Sequence, residues 1–98
     1  MLYFDGCPHW RQAEEVVHQA VRDVGLPEQP VTLRRVETPE EAKRLSFHGS
    51  PTVLVDGADP FADPSTPAGL MCRVYRTDHG FAGSPSLEQM TAALRSRL

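Results

Sequence analysis

The four residues Cys7–Trp10 constrain this chain most, because they stand between a short apolar run at 2–4 and a stretch of helical periodicity. A cysteine at such a strand-to-helix junction lies where backbone N–H groups and the helix dipole stabilise a thiolate. The spacing matches a Cys-x-x-Cys redox site, except that Trp10 occupies the place of the second cysteine. The sequence therefore predicts a reactive thiol without a neighbouring thiol to resolve it.

Length and charge narrow the class of protein. The 98 residues, of which 40% are hydrophobic, are enough for one core, so we expect a single domain at 1–98. Ten basic and 13 acidic side chains give a formal charge of −3, which argues against nucleic acid or an anionic membrane as a partner. No apolar run approaches the roughly 20 residues that cross a bilayer, and no secretory signal is visible. We expect a cytoplasmic protein of undetermined oligomeric state.

Three helices are predicted. The first has a stripe of apolar residues from Trp10 to Val24, with Pro8 at its first helical position and Gly25 at its end. A capping box that begins at Thr38 opens a second helix, which runs to about Phe47. The third helix starts after 84–86 and carries an apolar stripe at its helical spacing.

Four strands are predicted between these helices, at 2–4, 31–36, 51–55 and 72–76, with an irregular connection containing three prolines at 58–71. The order is βαβαββα. A β-α-β start indicates a parallel pair, and a final β-β pair indicates antiparallel neighbours. We therefore expect an α/β fold, a mixed four-stranded sheet with helices on both faces.

Two motifs resemble those of a known family. Cys-Pro at the head of the first helix and the Gly-Ser-Pro-Thr sequence at 49–52 are similar to the thioredoxin-like superfamily in its small, glutaredoxin-sized form. The sequences Tyr-Phe-Asp-Gly-Cys-Pro-x-Trp and Cys-Arg-Val-Tyr-Arg-Thr resemble those of small bacterial thioredoxin-like proteins, some of which are labelled alkylmercury lyase. The resemblance covers nearly the whole chain. It implies a thioredoxin-like fold and a cis bond before Pro51, with Ser50 and Pro51 forming the second wall of the Cys7 site.

The candidate site is built around Cys7 as the nucleophile. The alternative is that this cysteine is a small apolar residue that fills the start of the helix. Trp10 is expected to pack on the sheet or on the Pro51 loop, either as a hydrophobic cover for the thiol or as simple core. Residues that form the wall of the site are Pro8, His9, Trp10, Ser50 and Pro51.

The second cysteine, Cys72, is expected to have a different role. If the last two strands are antiparallel, Cys72 lies at the far end of the sheet from Cys7, beyond the Cα separation of about 7 Å that a disulfide allows. We therefore expect a buried apolar role for Cys72. Arg73 and Arg76 are expected to be solvated edge charges. No metal site is predicted, because the chain lacks a second paired ligand motif.

The predicted function is thiol–disulfide exchange through one reactive cysteine, with a low-molecular-weight thiol or a protein disulfide as the partner. This would make the protein a monothiol oxidoreductase that needs no bound cofactor. Two alternatives remain open at this point. One is a non-catalytic binding or adaptor module that kept the fold, and the other is the handling of thiophilic metals such as organomercurials.

Overall fold

The computed structural model describes residues 1–26, 31–62 and 67–97. Within these ranges the elements follow the order β1-α1-β2-α2-β3-β4-α3. The helices are α1 (Trp10–Asp23), α2 (Pro39–Arg44) and α3 (Leu87–Arg95). The strands are β1 (Leu2–Tyr3), β2 (Arg34–Arg35), β3 (Tyr75–Thr77) and β4 (Gly80–Ala82).

The predicted four-stranded mixed sheet is wrong. In the described residues, β1 pairs with β2 in parallel and β3 pairs with β4 in antiparallel fashion, which makes two separate two-stranded sheets. The expected strand at 51–55 makes only isolated bridges, an antiparallel one from Thr52 to Leu2 and one between Val55 and Ala58. The second bridge closes a turn, so this segment leaves β1 after one pair of backbone hydrogen bonds.

The predicted course of the chain after that turn is also wrong. Cys72 forms a parallel bridge with Ser50, so the segment that follows the connection runs in the same direction as 50–52. The connection at 58–71, of which 63–66 lies outside the described residues, is long enough to return the chain to the start of that segment. In place of the expected strand at 72–76, the chain forms β3, which begins at Tyr75. The antiparallel partner of β3 is β4, a strand that was not predicted from the sequence.

The helices agree more closely with the sequence. The apolar stripe of α1 is buried, and α1 packs against α3. However, α1 begins at Trp10, so Pro8 lies in the preceding turn and not at the first helical position. Helix α2 ends at Arg44, before the predicted limit, whereas α3 has a complete capping box between Ser86 and Gln89.

Two buried apolar clusters stabilise the described part of the chain. The first joins α1 and α3 to the 50–55 segment, and the second joins β1 to α2 and to residues that follow β2 and α2. The members of the first cluster are Val17, Ala20, Val21, Val53 and Met90, and those of the second are Leu2, Val36, Ala42 and Phe47. Among the described helices, none has the length and apolar character that crossing a membrane requires.

A buried ion pair fixes the segment around Cys72. The expectation that Arg73 is solvated is wrong, because its side chain is 7% exposed and donates to the Asp59 carboxylate at 2.6 Å. The same guanidinium donates to the carbonyl of Phe61 at 2.5 Å. Asp59 lies just after the turn at 56–57. The ion pair therefore joins the start of the long connection to the residue directly after Cys72.

Asp59→Asn tests this pair. The substitution leaves the Arg73 charge buried without its counter-ion, so we expect the free energy of unfolding to fall by about 3 to 5 kcal/mol. Asp78→Asn is the matched control, because Asp78 is exposed in the β3–β4 turn and has no ion pair among the described residues. Urea denaturation of both variants measures the difference. Equal stability of the two would show that the pair contributes nothing.

Candidate functional site

Cys7 lies at the head of α1, between β1 and the first helical turn. Its side chain is 1% exposed, and its N–H donates to the carbonyl of Phe4 at 3.0 Å. The N-cap of α1 is His9, so Cys7 precedes the first helical residue by three positions. The predicted placement at a strand-to-helix junction is therefore what the structure has, although the sulfur is buried.

The sulfur of Cys7 is bonded to that of Cys72. The two Cα atoms are 5.5 Å apart, across a sequence separation of 65 residues. The expectation that Cys72 lies remote from Cys7 is wrong, because the chain returns to pair with Ser50 in parallel and does not continue as an antiparallel neighbour. Cys72 is also exposed and not buried, so its expected role as an apolar core residue is wrong as well.

Ser50 connects the two cysteine segments. Its hydroxyl accepts from the Phe4 N–H at 2.9 Å, and Phe4 is the residue whose carbonyl binds the Cys7 N–H. Its backbone N–H donates to Met71 at 2.7 Å, and its carbonyl accepts from the Arg73 N–H at 2.9 Å. Ser50 itself is buried, with 1% of its surface exposed. One residue thus orients both sides of the disulfide.

The loop on either side of Ser50 is closely packed. The Ser50–Pro51 peptide bond is cis, and the Pro51 carbonyl accepts from the hydroxyl of Tyr75. Gly49 has a φ of +110°, and a Cβ there would lie 2.9 Å from the Cβ of Arg73. Only glycine therefore allows this backbone to approach the segment after Cys72 so closely.

Tyr75 links the loop to the buried ion pair. The guanidinium carbon of Arg73 lies 4.6 Å from the centre of the Tyr75 ring, and the Phe61 ring packs nearly perpendicular to the Tyr75 ring with centres 5.6 Å apart. Burial raises the pKa of the Tyr75 hydroxyl above its usual range. The hydroxyl therefore stays protonated and continues to donate to Pro51 across the physiological pH range.

The remaining residues of the predicted wall, at 8–10, follow Cys7 directly along the chain. Pro8 and His9 are exposed, and the His9 ring lies against the backbone of Gly83, where a Cβ would collide with it. Trp10 stacks on Tyr3 of β1 with ring centres 4.3 Å apart. Trp10 therefore packs on the strand, which is one of the two positions that its sequence context indicated.

The exposed side of the disulfide opens into a cleft of about 630 Å³. Cys72 lines this cleft, and so do His48, Arg76 and Phe81. The Nδ1 atom of His48 is buried without a hydrogen-bond partner in the described part of the chain. The described lining does not include Cys7. A molecule from solvent therefore meets the disulfide from the Cys72 side.

Metal ligation finds no support in the described ranges, where no three His, Cys, Asp or Glu side chains come together in a way that could hold an ion. Asp5 pairs with Arg35 at 2.8 Å on the surface. His79 is exposed in the β3–β4 turn.

Three roles in the site were not predicted from the sequence, namely those of Asp59, Arg73 and Tyr75. The sequence does contain a signal for the Cys7–Cys72 pairing, since the chain has only two cysteines and has a glycine directly before Ser50. The long connection gives the chain enough length to bring the second cysteine back to the first. No match was found for this chain among family models, curated proteins or solved structures.

Gly49→Ala tests the close approach that aligns the cysteines. Gly80→Ala is the control, because Gly80 has a similar φ of +104° but open space around its Cα. In both variants the unfavourable backbone conformation lowers the free energy of unfolding by roughly 1 to 2 kcal/mol. Only in Gly49→Ala does the new methyl group also collide with Arg73. We expect Gly49→Ala to be clearly less stable and to form less Cys7–Cys72 disulfide, measured by alkylation and mass spectrometry. An equal disulfide yield in the two variants would contradict this account of the alignment.

Proposed function

We propose that the protein carries out thiol–disulfide exchange with Cys7 and Cys72 as a reversible dithiol–disulfide pair. The observation that carries the proposal is the disulfide between one buried and one exposed cysteine at the wall of an open cleft. The likeness of the 7–10 and 49–52 motifs to the thioredoxin-like family supports it from the sequence. The pair replaces the monothiol scheme, because Cys72 supplies the second thiol that is missing at Trp10.

The exposure of the two residues sets the order of the exchange. A thiolate of the partner attacks the sulfur of Cys72, and the Cys7–Cys72 bond breaks with its electron pair on the sulfur of Cys7. A second thiolate of the partner then attacks the partner's own sulfur in the mixed disulfide and releases the Cys72 thiolate. Two electrons pass to the protein, and the partner leaves as a disulfide. The reverse sequence reduces a partner disulfide.

Cys7 has the role of the leaving group in this scheme. It lies three residues before the first helical residue of a 14-residue helix, whose N-terminal end has partial positive charge. That charge stabilises a thiolate on Cys7 and speeds the departure of its sulfur. Its predicted nucleophilic role then applies to the second half of the reverse reaction, where the Cys7 thiolate attacks Cys72 and closes the disulfide.

The proposal includes the cytoplasmic location expected from the sequence. Disulfides in mesophilic cytosolic proteins are usually transient and take part in catalysis or redox sensing. A cytoplasmic chain with this bond therefore fits an exchange centre better than a static crosslink. The partner in this scheme is a low-molecular-weight thiol or a protein disulfide, and no bound cofactor takes part.

Reaction of the reduced protein with a chromogenic aromatic disulfide, dithiobis(nitrobenzoate), tests the proposal. We expect the wild type to release about two thionitrobenzoate ions per molecule and to keep no adduct, because the second cysteine resolves the first mixed disulfide. Cys7→Ser should release about one ion and retain an adduct on Cys72. Cys72→Ser should react at least about tenfold more slowly than Cys7→Ser, because its remaining thiol, Cys7, is buried.

Circular dichroism of both variants confirms that they remain folded before the rates are compared. Stable adducts on both cysteines of the wild type would overturn the proposal, since they would show that neither thiol resolves the other. In that case the alternative of a binding module without redox chemistry would be favoured. Equal rates for the two single variants would overturn the assignment of Cys72 as the entry sulfur.

A further inference from the structure

The backbone on the outer side of the Cys72 segment is unpaired. The parallel bridge uses the Met71 carbonyl and the Arg73 N–H, both of which point toward Ser50. Because backbone groups alternate in direction along an extended chain, those of Cys72 and Val74 point the other way. Within the described ranges, none of these groups has a hydrogen-bond partner. This leaves a short open edge of backbone donors and acceptors beside the disulfide, which we call the 72–74 edge.

Exposed apolar side chains flank the same edge. Val74 is 64% exposed and Phe81 is 77% exposed, and these are the two most exposed large hydrophobic residues in the described part of the chain. Both line the cleft that contains Cys72. Apolar side chains gathered at one open site are typical of an interaction surface, whereas isolated ones need no explanation.

One exposed cation lies at this edge. The formal net charge of the chain is −3, yet the described cleft lining contains Arg76 and no Asp or Glu. Arg73 also lines the cleft, but Asp59 neutralises it. Arg76 is exposed and forms no ion pair with the described residues. The surface therefore complements an acidic group on whatever binds there.

We propose that the substrate is a protein disulfide or dithiol presented on an extended polypeptide segment, which pairs in β fashion with the 72–74 edge. Main-chain hydrogen bonds hold such a segment along the edge, and its alternate side chains reach the cleft. Apolar residues of the segment cover Val74 and Phe81, and an acidic residue lies by Arg76. The inference rests on the proposed exchange at Cys72 and selects one of its two partner classes.

The test compares mixed disulfides that share thionitrobenzoate as leaving group and differ in the thiol to which it is bonded. The first probe is a short peptide with alternating Val and Glu around its cysteine. The second is the same peptide with its backbone N-methylated at the residues next to the cysteine. In the third, glutathione takes the place of the peptide. Release of thionitrobenzoate by the reduced wild-type protein gives the second-order rates. We expect the parent peptide to react about tenfold faster than the other two.

Variants locate the preference on the surface. Val74→Ser and Phe81→Ser should lower the ratio of the peptide rate to the glutathione rate, and Leu33→Ser should leave it unchanged. Leu33 is also an exposed hydrophobic residue, but it is not part of the described cleft lining. Arg76→Ser should reduce the preference for the Glu peptide over a Lys peptide, and added salt should do the same in the wild type.

The outcomes separate this inference from the proposed function. If the glutathione probe reacts normally and N-methylation has no effect on the peptide rate, the inferred docking edge is wrong while the exchange chemistry stands. Faster reaction of glutathione than of every peptide would likewise overturn the edge and favour a small thiol. If no probe reacts with the reduced wild type, the exchange chemistry fails and the inference fails with it.

Discussion

The hydrogen bonds of Ser50 are the interaction on which the rest of the site depends. Its hydroxyl binds the turn that leads into Cys7, and its backbone binds the two residues on either side of Cys72. The cysteines are 65 residues apart in sequence, and this one buried residue sets both of them at bonding distance. Each buried bond contributes about 1 kcal/mol, but leaving its donor or acceptor unpaired costs more.

A second layer of contacts holds Ser50 in place. Pro51 accepts from Tyr75, whose ring lies against Arg73, and Arg73 pairs with Asp59 in a largely water-free setting. A buried ion pair is weak evidence for stability, but it fixes geometry. If the two side chains separate, each charge is left buried without its counter-ion, which is costly. The site is thus a set of polar contacts beneath an exposed cysteine, and only its outer edge is open to solvent.

Much of the local structure could be predicted from the sequence, whereas the long-range arrangement could not. The stripe of α1 and the cap of α3 depend on neighbours a few residues apart, so periodicity and capping residues predict them. The partner of Cys72 depends on the direction in which the chain returns after an irregular connection, and no local pattern encodes that direction. Tyr75 and Asp59 belong to the site only because of that return. The four-stranded sheet was an inference of the same long-range kind, and it was wrong for the same reason.

In the proposed exchange, the Cys7–Cys72 bond is a reversible redox couple and not a permanent crosslink. The most direct test is equilibration of the purified protein in glutathione buffers of graded potential, with the thiol content trapped by alkylation and read by mass spectrometry. We predict that both cysteines are oxidised and reduced together, in a single two-electron transition above about −300 mV. A bond that stays closed below about −300 mV, as structural disulfides do, or two thiols that never pair, would contradict the account.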